Sequence, residues 1–461
     1  MNKKLTLTAL VLVSTLFFTA CKPNVTAEVD NKMNNATPIS IGSIDEAYEV
    51  ILTRCSREFI GGHAIDDSFL SWLGSVYGPD TVTEIASQGD YDNPEVWYQI
   101  TGKSIHVLWD EFNNAYGFFL DQNVHELSTA SGDEIVMDFT GDLSLADDIA
   151  TTEYMLQREN GLEDCFSSDL LDEMRSADLF VINNEFTYTT RGEAIPGKAY
   201  TFRGDPTRVK ELNKIGTDLV TLANNHVCDY GDVGLLDTLE TLQNNNTPYI
   251  GAGPNIKEAM RPIYYIANGR KIAIVNATQI EKSYNYTKEA TETTPGVLKS
   301  LNSTKFCKVI KEADQNADTV IALIHWGTEG NASYGKDQVK LANDFISAGA
   351  DVIVGGHTHC LQGIEYMSGV PVYFSLGNYW FSTTSRMPAD YDTGLAKIRI
   401  KNDGTINCEF VPCKFSFGVT SMVHGQEKAD IINRLKVYSP SVEFSDDGSF
   451  IENKDYINKR R

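Results

Sequence analysis

The sequence predicts an α/β fold in which helices cover sheets, preceded by a small, mainly helical domain. Two observations carry this. After about Glu134, short β-rich apolar runs alternate with helical stretches, the pattern of sheets covered by helices. Before it, Ile44 to Phe59 and Val96 to Phe119 mix apolar and charged residues at helical spacing. The 461 residues, 42% of them hydrophobic, allow two or three domains of roughly 100–200 residues each and a packed core.

The first 21 residues read as a secretion signal. Lys3 and Lys4 form a charged start, Leu5 to Phe18 are almost wholly apolar, and Phe18-Thr19-Ala20-Cys21 resembles a lipobox. Cys21 is therefore the expected lipidated residue and membrane anchor; a plain signal peptide or a membrane-spanning anchor are the alternatives. The apolar run is shorter than the roughly 20 residues a spanning helix needs. The protein is expected outside the cytoplasmic membrane. Residues 22–43, rich in Asn, Thr, Val and Pro, read as a flexible tether. Residues 44–122 form the helical domain, with His63, Trp97, His106 and Trp109 as candidates to line a groove or, more simply, to be part of a half-buried surface.

Strands are predicted at Glu134–Phe139, Leu179–Asn183, Asp218–Ala223, Lys271–Ala277, Thr319–His325, Asp351–Gly355 and Val370–Leu376. Helices are predicted at Arg208–Lys214, Gly234–Asn244, Thr304–Ala313 and Gln338–Ser347, and antiparallel strands at Leu395–Ile400 and Ile406–Phe415 would complete a second sheet. Residues 416–461 read as a polar, loosely packed tail, with a helix near Ile431–Tyr438.

Composition excludes some functions. Sixty-three acidic against 39 basic residues give a formal charge of −24, which repels nucleic acid and anionic lipid headgroups. No nucleic-acid partner is expected, and an anionic polymer would have to be met by metal ions or a local basic patch. Seven cysteines remain after Cys21; their odd number and spacing match no disulfide or zinc pattern, and none is assigned.

The chemistry lies at strand ends. The predicted strands run into Gly141-Asp142, Asn183-Asn184-Glu185, Asn224-Asn225-His226, His325-Trp326-Gly327-Thr328-Glu329, Gly355-Gly356-His357-Thr358-His359 and Ser375-Leu376-Gly377-Asn378. In an α/β sheet such ends line one crevice, so residues distant in sequence can meet. The donors are oxygens and imidazole nitrogens, which suits Mn, Fe or Zn in a hydrolytic pair.

These segments, with Phe202-Arg203-Gly204-Asp205-Pro206 and Asp229-Tyr230-Gly231, resemble the bacterial capsule-synthesis CapA family, associated with poly-γ-glutamate, of the calcineurin-like metallophosphoesterase superfamily. The resemblance spans residues 134–415 and implies a four-layer α-β-β-α metallophosphoesterase-like sandwich. It implies two divalent metal ions held by Asp142, Glu185, Asn225, His325, His357 and His359, with His226 as the catalytic group that protonates the leaving oxygen or steadies the transition state. Asn224, Glu329 and Asn378 would support the ligands, and Arg203 would hold an anionic substrate. The superfamily's Asp-x-His opening is replaced by Gly141-Asp142-Leu143-Ser144, and its Gly-Asp-x-x-Asp by Asn183-Asn184-Glu185. That removes a His and an Asp from the ligand set.

The expected role is hydrolysis or transfer on a phosphoester or amide-linked anionic chain in capsule or cell-envelope polymer synthesis. The alternatives are a non-catalytic partner of a membrane polymer synthase and a surface phosphodiesterase of other substrate.

Overall fold

The computed structural model describes residues 40–54, 67–89, 93–105, 107–108, 111–112, 123–281 and 286–458. Cys21, Cys55, His63, His106 and Trp109 lie outside them, as does the whole of the expected signal segment. Among the described residues no helix is long and apolar enough to cross a membrane.

The chain divides into two compact units between Ile105 and His106, earlier than the boundary expected at residue 122. The first contains helices α1 (Ile44–Arg54), α2 (Asp67–Tyr77), α3 (Pro79–Gln88) and α4 (Pro94–Thr101). α3 begins with Pro79, whose fixed φ suits a first helical turn, and ends at Gly89 in the left-handed conformation. Its Val82, Ile85 and Ala86 are buried at helical spacing. Trp97 has no exposed surface and its ring lies 6.2 Å from that of Phe69, so it belongs to this unit's core rather than to a groove.

The second unit is the four-layer sandwich. One sheet is built from β1 (Val124–Glu126), β6 (Ile263–Ala267), β7 (Arg270–Thr278), β8 (Thr319–His325), β9 (Val352–Gly356), β11 (Val370–Tyr373) and β10 (Ile364–Met367), in that spatial order. The other runs β16 (Val442–Phe444), β17 (Ser449–Glu452), β14 (Ile406–Ser416), β13 (Tyr391–Lys401), β2 (Glu134–Leu143), β3 (Leu179–Asn184), β4 (Leu219–Thr221) and β5 (Tyr249–Ile250). β12 (Asn378–Trp380) pairs with the end of β2, and β15 (Val419–Met422) with β14.

Strand β8 shows why the sequence makes these layers. All seven of its residues are buried, as a strand covered on both faces requires. Ile321 and Leu323 point into the core between the sheets, whereas Val320, Ala322 and Ile324 point toward the outer helices. Those helices are α9 (Ile256–Met260), α10 (Thr304–Asn316) and α11 (Lys336–Ser347). α10 buries Phe306, Val309, Ile310 and Ala313, a three-and-four spacing on one face. The other sheet is covered by α5 (Ala150–Leu156), α6 (Ser168–Ser176), α7 (Val209–Lys214) and α8 (Gly231–Asn244), whose apolar faces share a core with β3 and β4.

The region after Ser416 is not a loose tail. β15 pairs with β14 and β17 extends the sheet, with Phe450 opposite Cys408. Helix α12 (Gly425–Tyr438) buries Ile431 and Leu435 in the core between the sheets, together with Val442 and Phe450. Short strands and a helix with few apolar residues leave a weak periodic signal, so composition alone misleads here. The strand expected to reach Leu376 stops at Tyr373, and β1, β6 and β10 were not expected.

Candidate metal centre

Strand ends of both sheets converge on one crevice. β2 carries Asp142 at its penultimate position, β3 leads into Glu185, and the loop after β4 holds Asn224, Asn225 and His226. β8 ends at His325, and the turn after β9 holds His357 and His359. Glu185, His325 and His357 each offer a ligand atom within 4.8 Å of the others, and so do Asp142, Glu185 and His359. The two groups share Glu185. Asn225 joins the first through its Oδ1, 2.8 Å from His325 Nε2.

Local backbone makes the convergence possible. β2 changes register against β3 between Phe139 and Asp142. At Gly141 a Cβ would stand 1.9 Å from the carbonyl oxygen of Gly377; this close approach lets the Asp142 amide donate to that same oxygen at 2.9 Å. At Gly356 a Cβ would lie 3.0 Å from Asp142 Oδ1, so the bare Cα leaves room for the carboxylate. His357 and His359 both have positive φ, 91° and 56°, conformations that cost side-chain-bearing residues about 1–3 kcal/mol each and cluster at functional sites.

The carboxylates are fully buried. Asn183 braces them, its Nδ2 donating to Asp142 Oδ1 at 2.8 Å and to Glu185 Oε2 at 3.3 Å. Burial would raise the Asp142 pKa, but the hydrogen bond and charge of His359, with the charge of His325, hold it down to about 2. Burial, and then the neighbouring Asp142 charge, push Glu185 well above the usual carboxylate range. His325 is pushed down to about 3 by burial, which keeps its ring neutral, the form that ligates metal.

Among the described residues no donor hydrogen-bonds Glu185 Oε1, which lies 3.5 Å from His325 Nε2. A buried carboxylate oxygen without a partner is costly, and a cation shared by the two groups removes that cost. A cavity of about 30 Å³ adjoins the cluster, lined by Asp142, Asn183 and His325 together with apolar residues between the sheets such as Val181 and Leu323. The donor set is oxygen and imidazole nitrogen throughout, so the residues fit divalent metal ions.

His226 is held from behind. Its Nδ1 lies 2.7 Å from Asp229 Oδ2; an ionised carboxylate only accepts, so Nδ1 carries the proton and Nε2 of the neutral ring is the acceptor. Burial lowers the His226 pKa, against the pull of Asp229. Asp229 also accepts the Phe202 amide at 2.7 Å and pairs with Lys198 Nζ at 2.6 Å, and Lys198 donates to the Asn225 carbonyl as well. Phe202 packs its ring 4.5 Å from that of His226. Reading the sequence overlooked the Asp229–Lys198 support and the bracing by Asn183. The three-residue spacing from His226 to Asp229 was the available signal for the first; Lys198 had none.

The supporting candidates separate. Asn378 Oδ1 lies 2.7 Å from His359 Nδ1. Asn224 donates to Asn183 and to the Asn184 carbonyl, and its Oδ1 accepts the amides of His226 and Val227, fixing the loop that presents Asn225 and His226. Glu329 is exposed and hydrogen-bonds no ligand; its charge alone reaches the site, raising the pKa of Glu185 and His359. Arg203 is not in the cluster: its guanidinium lies 4.2 Å from the ring centroid of Tyr230, beside a separate cavity. Cys228 and Cys360 join neither ligand group, and burial pushes both thiols up.

The profile of the bacterial capsule synthesis protein family PGA_cap matches residues 136–383, more than half of the chain. The capsule biosynthesis protein CapA of Bacillus anthracis is 31% identical over 54% of this chain and 58% of its own length. The PGA biosynthesis protein CapA of Bacillus subtilis is 35% identical over 44% of this chain and 52% of its own. The chain thus spans a little over half the length of these relatives. Among solved structures, the calcineurin-like phosphoesterase YfkN of Bacillus subtilis aligns over 63% of this chain and 88% of its own, with 18% identity and a TM-score of 0.32. The chain belongs to the bacterial capsule synthesis protein family PGA_cap.

Proposed function

We propose that this chain is a lipid-anchored, extracytoplasmic protein of capsule or cell-envelope polymer synthesis whose crevice binds two divalent cations. There it hydrolyses or transfers a phosphoester or amide-linked anionic chain, poly-γ-glutamate being the polymer that the relatives' names point to. It works beside a membrane polymer synthase. The observation that carries the reading is the pair of ligand groups sharing the buried Glu185, whose Oε1 accepts no hydrogen bond among the described residues.

Divalent cations held by these ligands would supply Lewis acidity to the group under attack. The protein's own groups do the rest. Asp142, Glu185, Asn225 and the three histidines of the cluster fix the cations. Asn183 braces both carboxylates through one Nδ2, and Asn378 and Asn224 fix His359 and the His226 loop. His226, held in one tautomer by Asp229, moves a proton at Nε2 to or from the reacting oxygen or nitrogen; a positioned acid or base of this kind contributes about 10²–10⁴-fold.

The test is metal content of the purified full chain by plasma mass spectrometry, with turnover of bis-p-nitrophenyl phosphate with and without Mn²⁺. Metal is expected in the wild type and in His226→Ala, with turnover in the wild type only. Asp142→Ala and His357→Ala are expected to lose metal and turnover together. Equal metal loss in all three variants breaks the assignment of roles. A wild-type chain that holds no metal and stays inactive after metal is added removes the hydrolase reading.

A further inference from the structure

The stretch of chain that follows β7 grips two of the ligand residues from behind. β7 runs parallel to β8 with Thr278 opposite His325, so the residues after Thr278 emerge at the crevice end of the sheet. The His325 carbonyl accepts the Gln279 amide at 2.8 Å and the Thr278 hydroxyl at 3.2 Å. Farther along, the Thr287 hydroxyl donates to the Asn225 carbonyl at 2.8 Å, which also accepts from Lys198 Nζ. A peptide oxygen has two lone pairs, and at both ligand residues each is taken. Glu281 joins these grips. Its Oε2 accepts the Thr287 amide at 3.1 Å, and its Oε1 lies 3.4 Å from Lys198 Nζ. One carboxylate therefore stands behind both donors that reach the Asn225 carbonyl.

The consequence is directional. With its backbone fixed, Asn225 turns Oδ1 to within 2.8 Å of His325 Nε2, so the two donors face one point. Asp142 and His359 are held from another side, the Asp142 amide by the Gly377 carbonyl and His359 Nδ1 by Asn378 Oδ1 at 2.7 Å. We infer that Glu281 is a positioning residue for one of the two cation sites, the one offered by Glu185, Asn225, His325 and His357. Its loss empties that site ahead of the one offered by Asp142, Glu185 and His359. This rests on the reading of the crevice as a two-cation centre, and it deepens that reading by making the two sites separable. A group behind a ligand acts by aiming the donor atom, and losing such a group costs about 10–100-fold in metal affinity.

The experiment strips the full chain of metal, removes the chelator and titrates Mn²⁺ by calorimetry into the wild type, Glu281→Ala, Thr287→Val and Thr287→Ser. The wild type is expected to take two equivalents. Glu281→Ala and Thr287→Val are expected to weaken one of them about 10–100-fold and to leave the other at its wild-type affinity. Thr287→Ser keeps the hydroxyl and is expected to match the wild type. A second measurement needs no metal: hydrogen exchange of residues 224–229 in EDTA, read by mass spectrometry. The amides of His226, Val227 and Asp229 bond within that loop, so their exchange is expected to quicken in Glu281→Ala and Thr287→Val. Both equivalents weakened alike, both unchanged, or Thr287→Ser as weak as Thr287→Val overturns the proposal. Loop exchange equal to the wild type's in every variant does the same. A wild type that binds no Mn²⁺ removes the two-cation reading, and loop exchange then decides the positioning role by itself.

Discussion

At the residue scale the centre is governed by what stands behind each reacting group. Asp229 has no exposed surface and accepts three donors, the His226 ring, the Phe202 amide and Lys198. Its orientation is therefore set by the loop and does not depend on substrate. Replacing it with Asn keeps the shape and presents an amide that can offer N–H to Nδ1, which reverses the His226 tautomer and moves the proton to Nε2. Asp229→Asn is expected to lower kcat by roughly 10²–10⁴-fold, the span of a lost acid or base, with KM and metal content held near wild type. A matching loss of metal in that variant would show that Asp229 serves the ligand loop instead. The donors themselves were legible from sequence, because apolar runs ended on them. Asn183 was visible only as part of a motif, since its bracing role depends on two carboxylates brought together from separate strands.

At the element scale, β2 carries a second buried carboxylate that the centre does not use. Asp138 faces away from the inter-sheet core, with neither oxygen hydrogen-bonded among the described residues and Lys397 of β13 at 4.0 Å; Lys397 is itself paired with Glu173 of α6. Burial pushes the Asp138 pKa up to about 7, against the pull of Lys397. A carboxyl raised above its unfolded value is favoured when protonated, so its stability advantage is complete below about pH 4 and lost as pH rises through about 7. Asp138→Asn is expected to leave thermal stability at pH 4 nearly unchanged and to raise it at pH 8, by up to about 4 kcal/mol. Melting curves at the two pH values check this; a gain of equal size at both would mean the carboxylate stays charged throughout. Strand β2 was predicted from its apolar run, yet Asp138 within it gave no sign of which face it would take, because a strand buried on both faces loses the alternation that marks inside from outside.

The same scale explains the misread carboxy-terminal region. Its sequence is charged, and its strands β16 and β17 are too short to show a period, but Ile431, Leu435, Val442 and Phe450 close the core between the sheets. Ser441 hydrogen-bonds Glu365 of β10 through both its amide and its hydroxyl, tying the region to the opposite sheet. Each fully buried apolar side chain contributes about 1.5–3 kcal/mol, so a chain ending at Ser416 is expected to be insoluble or to melt far below the full chain. A truncated protein with an unchanged melting temperature would restore the loose-tail description.

At the scale of the whole molecule, charge and anchoring bear on each other. A formal charge of −24 sets the protein against the anionic surface of a bacterial membrane, so electrostatic attraction offers no means of retention there. The proposed membrane attachment would therefore come from apolar insertion, for which the sequence offers the run from Leu5 to Cys21. Two physical outcomes differ in their dependence on one sulfur atom. If Cys21 carries a diacylglyceryl group after cleavage, two acyl chains hold the protein stably, where one chain gives only marginal binding. If the apolar run instead stays uncut and inserts, Cys21 is an ordinary residue near its end. Cys21→Ser is accordingly expected to move the protein from the membrane pellet to the soluble fraction, while washing wild-type membranes with high salt releases none of it, because salt screens charge and leaves acyl chains in place. A Cys21→Ser protein that remains in the pellet would assign the attachment to the apolar segment itself, and the crevice would then face its polymer from a spanning anchor rather than a lipid.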